Sequence, residues 1–133
     1  MAKPKIDVME SLQDSINANC DLQGMNLTIG FLTPNNPLTI LDGSSSTVLE
    51  RFMDGGQIVS YPYQIAIRHT SQEVISQVLY EIYEYLNNDD FSIESSNNTW
   101  QFETASATKQ QPSGKDQENN YVFVLNLQIT ISF

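Results

Sequence analysis

The chain has 133 residues, 40% of them apolar, enough for one domain with one ordinary core and too much for a disordered chain. No run of eighteen apolar residues is present, and Met1-Ala2-Lys3-Pro4-Lys5 opens onto a polar amphipathic segment, so neither membrane insertion nor classical secretion is expected. Sixteen acids against six bases give a formal charge of −10, a sign that opposes binding to nucleic-acid backbones or anionic lipid.

In chain order, Ile6, Met9, Leu12, Ile16 and Cys20 recur at helical spacing with polar residues between them, which predicts an amphipathic helix with one docking face. Leu27, Ile29 and Phe31 alternate with Asn26, Thr28 and Gly30, the pattern of a half-buried strand, which Pro34-Asn35-Asn36-Pro37 ends in a turn. Leu38 to Leu41 reads as a short strand. Thr47 to Met53 reads as extended chain leading into Asp54-Gly55-Gly56, whose residues supply the positive φ of a tight hairpin.

The return strand sets Tyr61, Tyr63, Ile65 and Ile67 on one face, and Pro62 within it points to an edge position or a bulge. Thr70-Ser71-Gln72-Glu73 fits a capping box with Thr70 as the cap. Val74, Ile75, Val78, Leu79, Ile82, Tyr83 and Leu86 then form one buried stripe, and Tyr80, Tyr83 and Tyr85 read as packing residues, not a ligand box. Phe91 to Ser95 and Trp100 to Ala107 are expected to form a second hairpin. Lys109 to Asn120, polar throughout, is expected to be a mobile hairpin arm without an apolar anchor. From Tyr121 to Phe133, Tyr121, Phe123, Leu125, Leu127, Ile129, Ile131 and Phe133 alternate with Asn126, Gln128, Thr130 and Ser132, as a long central strand with one buried face does. The expectation is one α+β domain over residues 1–133: a mostly antiparallel sheet packed by two amphipathic helices.

Catalytic chemistry finds little here. The single histidine, His69, sits at a strand exit beside a helix N-terminus, where the dipole disfavours its charged form. The single thiol, Cys20, has no adjacent base, and one cysteine with one histidine builds no closed zinc site. Asp89-Asp90 lacks the ligand spacing of a calcium loop, and Asp54-Gly55-Gly56 precedes a strand where a phosphate-cradling loop precedes a helix. No catalytic, metal-binding or cofactor-binding residue is assigned, and an enzyme is not expected.

Ser, Thr, Asn and Gln number 46, which gives a largely neutral-polar surface suited to contact with other proteins. Charge is also uneven: between Arg68 and Lys109 there is no lysine or arginine but seven acids, Glu73, Glu81, Glu84, Asp89, Asp90, Glu94 and Glu103.

The segment Asp54-Gly55-Gly56-Gln57-Ile58-Val59-Ser60-Tyr61-Pro62-Tyr63-Gln64-Ile65-Ala66-Ile67, followed by a capped helix ending Tyr85-Leu86, resembles the small tail terminator or minor capsid proteins of long-tailed phages and prophages of Gram-positive bacteria. The resemblance implies an α+β subunit of a virion, assembled in the host cytoplasm. It also implies a hexameric ring on the head-proximal end of the tail, with the tail tube protein and the head-tail connector protein as partners. A neck or head-completion protein, or a small host-directed binding module, are the alternatives. Candidate partner-binding residues are Asp54, Gly55 and Gly56 in the hairpin turn and Lys109, Gln110, Gln111, Lys115 and Asp116 in the arm. Candidates for an acidic lumen, which would repel a passing DNA, are Glu73, Glu81, Glu84, Asp89 and Asp90.

Overall fold

The two longest alternating stretches of the sequence pair with each other. In the computed structural model, which describes residues 8–33, 35–42, 47–88, 90–94, 100–108, 111–115 and 119–132, β4 (Gln57–His69) runs antiparallel to β7 (Tyr121–Ser132) from Ile58↔Ser132 to His69↔Tyr121. The pleat sends Tyr63, Ile65 and Ile67 of β4 and Leu125, Leu127, Ile129 and Ile131 of β7 to one face, and all are buried. Along the far side of β4 lie β2 (Leu38–Asp42) and β3 (Thr47–Arg51), and along the far side of β7 lie β5 (Gln101–Ala107) and β6 (Gln111–Lys115), all antiparallel. A two-residue β1 (Thr28–Ile29) adds to β2 in parallel, completing a seven-stranded sheet.

Both helices cover the same face. In α1 (Val8–Asn19), Val8, Leu12 and Ile16 are buried at the spacing of one stripe, and Ile6 lies outside the described residues. In α2 (Gln72–Leu86), Ile75, Val78, Leu79, Ile82 and Leu86 enter the same core as the β4 and β7 residues. Burying five such side chains is worth on the order of 10 kcal/mol before chain entropy is counted. The two helices are joined by the Ser15 and Tyr85 hydroxyls, and the Ser11 hydroxyl donates to the Glu94 carbonyl. Tyr80, Tyr83 and Tyr85 hold no common pocket: Tyr85 packs edge-on against Phe91, and Tyr80 is exposed.

Several expectations are corrected. The strand expected from Leu27 to Phe31 shrinks to Thr28–Ile29, and only Leu27 is buried, while Ile29 and Phe31 are exposed. The cause is α1: Asn17 and Gln13 side chains take the Leu27 backbone groups that a ladder would use. Pro62 marks neither an edge strand nor a bulge in β4. Asp42 stands opposite Tyr63 and Thr47 opposite Ser60, so Pro62 falls where central β4 exchanges β2 for β3 along one side. There a missing N–H costs no ladder bond on that side.

The α2 cap is Ser71, one residue later than Thr70. Its Oγ accepts from the Val74 amide at 3.3 Å, and its own amide donates to His69 Nδ1 at 2.9 Å. Residues 91–94 form no strand, so the hairpin expected between Phe91–Ser95 and Trp100–Ala107 is absent among the described residues. Instead an Asn88 turn delivers Phe91 into an aromatic cluster, 5.0 Å from Tyr85 and 5.3 Å from Phe102 between ring centres, and β5 pairs with β7. The described part of the arm, Gln111–Lys115, is β6, paired with the start of β7. It has the anchor the sequence reading lacked, with Lys115 Nζ 4.7 Å from the centre of the Tyr121 ring.

Candidate assembly surfaces

The Asp54-Gly55-Gly56 turn closes the β3–β4 hairpin as expected, with φ of +92° at Gly55, the conformation that makes glycine the fitting residue there. The Phe52 amide donates to the Gly56 carbonyl, and the Gly56 amide to Asp54 Oδ1. What the sequence reading missed is the company this turn keeps. Phe52 and Met53 project into solvent beside it, and in β3 a register shift between Val48 and Glu50 leaves Leu49 unpaired as the extra residue of a bulge, 59% exposed.

These residues belong to a longer line. Ile29 ends β1 and Phe31 follows it along the outer side of β2, in the direction of β3, and Gly30 extends that pairing through its amide to the Ile40 carbonyl. Ile29, Phe31, Val48, Leu49, Phe52 and Met53 are six of the seven exposed large hydrophobics among the described residues, and all lie on one edge of the sheet. Glu50 and Arg51 also lie exposed on β3, but six large apolar side chains exposed on one edge exceed the scattering usual for a soluble monomer and make this edge a candidate association surface. The cue in the sequence is Phe52-Met53 placed directly before a polar turn.

The opposite edge is of another kind. Along β5 the exposed side chains are Gln101, Glu103, Thr104 and Ser106, and β6 is exposed throughout. Asn87, at the end of α2, closes the far end of β5: its side chain accepts from the Ala107 amide at 3.1 Å and donates to the Ala107 carbonyl at 3.2 Å. Beside the rest of β5 lies a cleft of about 210 Å³, its floor formed by Leu86, Phe91 and Phe102 and its rim by Asn87, Glu103 and Thr104. A second hollow, of about 350 Å³, is lined by Pro62, Tyr63, Ser106, Thr108, Asn126, Leu127 and Gln128, with no acid or base among them.

The candidate partner-binding residues are therefore not brought together. Asp54, Gly55 and Gly56 sit at the end of the sheet where Arg51 pairs with Gln57. Gln111 and Lys115 sit on the other edge, at the opposite end, beside Val124 and Tyr121. Lys109, Gln110 and Asp116 lie outside the described residues. Of the acidic candidates, Glu73, Glu81 and Glu84 share the exposed side of α2, and Asp90 follows it, exposed; Asp89 lies outside the described residues. Glu84 accepts from the Tyr80 hydroxyl and raises its pKa, whereas Glu103, on β5, accepts from the Ser132 hydroxyl of the neighbouring strand.

The Cys20 thiol is pushed up to about 12, first by burial and then by the Glu81 charge, which keeps it protonated and unreactive at neutral pH. His69 accepts from the start of α2 through Nδ1. Among the described residues no group of three metal-ligating side chains comes together, and no helix is long and apolar enough to cross a membrane.

Comparison with curated proteins finds no match. The profile of a family described as bacteriophage tail terminator protein, a structural family, matches residues 32–133, which takes in β2 to β7 and α2 but not β1, Ile29 or Phe31. With that much of its length matched, the chain belongs to the bacteriophage tail terminator family.

Proposed function

We propose that the protein closes the head-proximal end of the phage tail as a hexameric ring, stops the tail tube from growing and offers its free surface to the head-tail connector. The family match over residues 32–133 is the observation that carries this reading. Its two sheet edges support it: a ring is built from head-to-tail contacts, which need two different surfaces on opposite sides of one subunit, and an apolar edge opposed by a polar, clefted one is such a pair. In this reading the α2 acids face the DNA channel and keep the genome from adhering.

The test is tail length. Tails assembled without this protein should overgrow and fail to join heads, and adding the purified protein should restore one length, with density at the head-proximal tip in electron micrographs. Normal tails that fail only at a later head-completion step would point to the neck protein and overturn the reading.

A further inference from the structure

The two edges of the sheet match each other in height, direction and chemistry. Pairing registers place Val48, Val59, Ile131 and Phe102 in one row across the sheet, so the apolar β3 edge and the clefted β5 edge lie at the same level on opposite sides. β3 is antiparallel to β4, β4 to β7 and β7 to β5, which makes β3 and β5 antiparallel. When such a sheet is repeated around an axis running along its strands, β3 of one copy arrives beside β5 of the next at the same height, antiparallel, the arrangement in which two strands exchange backbone hydrogen bonds directly.

The side chains agree. Phe102, in the same row as Val48, forms part of the floor of the 210 Å³ cleft, and the side facing that cleft in the next copy would carry Val48, Leu49, Phe52 and Met53. The cleft has an apolar floor and a polar rim, the form of a socket that takes a protruding aliphatic side chain.

We propose that neighbouring copies of this chain join edge to edge. The β3 edge of one adds to the β5 edge of the next, with Leu49 and its neighbours seated in the cleft between Leu86, Phe91 and Phe102. The bulge at Leu49 aims that side chain out of its own sheet. Asn87, by occupying Ala107, marks where the added strand ends. The proposal rests on the ring reading above, because a contact between two different edges propagates until it closes.

Two measurements test it on the full-length protein, free at high concentration and bound to tails. In a Cys20→Ser background, Leu49→Cys combined with Gln101→Cys, which the registers place at the same level, should give a ladder of disulfide-linked multimers on oxidation, while either cysteine alone gives none. Separately, Leu49→Lys should weaken association by about tenfold or more, whereas Tyr80→Lys, equally exposed but away from both edges, should leave it unchanged. Both cysteine positions are exposed, so folding is preserved.

Dimers from Leu49→Cys alone would show the apolar edges meeting each other and overturn the proposal. Cross-links from Leu49→Cys to the tail tube protein only, or no cross-link in either setting, would overturn it as well. Tail length separates the two readings: capped tails without the cross-link leave the function standing and remove the interface, whereas cross-linked rings that do not limit tail length do the reverse.

Discussion

Asn17 holds Leu27 by both of its backbone groups: its Oδ1 accepts from the Leu27 amide at 2.8 Å, and its Nδ2 donates to the Leu27 carbonyl at 3.0 Å. The helix side chain thereby imitates a strand at the point where the chain leaves α1 for the sheet, and it fixes the fully buried Leu27 in the core. Asn17→Ala removes both bonds and leaves a buried amide without its acceptor, so stability should fall by about 1–3 kcal/mol. Urea unfolding with an unchanged m-value checks this, and a loss well under 1 kcal/mol would mean that water replaces Asn17 there.

Asn87 does the same for Ala107 from the other helix, and it also caps α2. Asn87→Ala is expected to cost about 1–2 kcal/mol and to speed hydrogen exchange at Ala107 before exchange rises in β4 or β7. Simultaneous exchange throughout the sheet would show that this end of β5 opens only with the whole fold.

Stability should decline at alkaline pH. The Cys20 thiol, near 9 in an unfolded chain, is pushed up to about 12 by burial and Glu81, and burial raises the Tyr63 hydroxyl above the tyrosine range. In both cases the folded state keeps a proton that the unfolded state has lost, so the unfolding free energy is unaffected below about pH 9 and falls as pH rises beyond it. Melting temperatures from pH 7 to 11 test the sign, and Cys20→Ser should flatten the first part of the decline. Alkylation of native Cys20 at pH 8 should be far slower than in denaturant.

The elements that declared themselves in the sequence are those with an unbroken period. The α2 stripe and the alternation of β7 carry their burial pattern in neighbouring residues, and a single core forces both into place. The features that stayed hidden depend on partners far along the chain. Leu27 looks like a strand residue until Asn17 is beside it, and Phe91 looks like one until Tyr85 and Phe102 surround it. Alternation in β3 says which residues share a face and nothing about whether the strand is central or at an edge, so the exposure of Val48 and Leu49 was not legible. The cleft that would receive them gathers residues from α2, the segment after it and β5.

The helix acids give the sharpest test of which surface meets DNA. Glu73, Glu81 and Glu84 share the exposed side of α2, and no lysine or arginine lies between Arg68 and Lys109 to offset them. Changing all three to lysine shifts the subunit charge by six, from −10 to −4, and a ring multiplies that shift on one surface. The Glu73 change also sets a cation at the start of α2, where the dipole opposes it, at a cost of about 0.3–1 kcal/mol, so the fold should persist. If this side of α2 lines the channel, the variant ring should bind duplex DNA with an affinity that falls steeply as salt rises, and virions carrying it should assemble but eject poorly. If it faces outward, the same variant should change solubility and leave ejection at its normal rate, since charges more than a Debye length from the DNA are screened. The channel wall would then have to be sought on the opposite sheet face around Pro62, Asn126 and Gln128, where the described side chains carry no charge and neither hold nor repel a phosphate backbone.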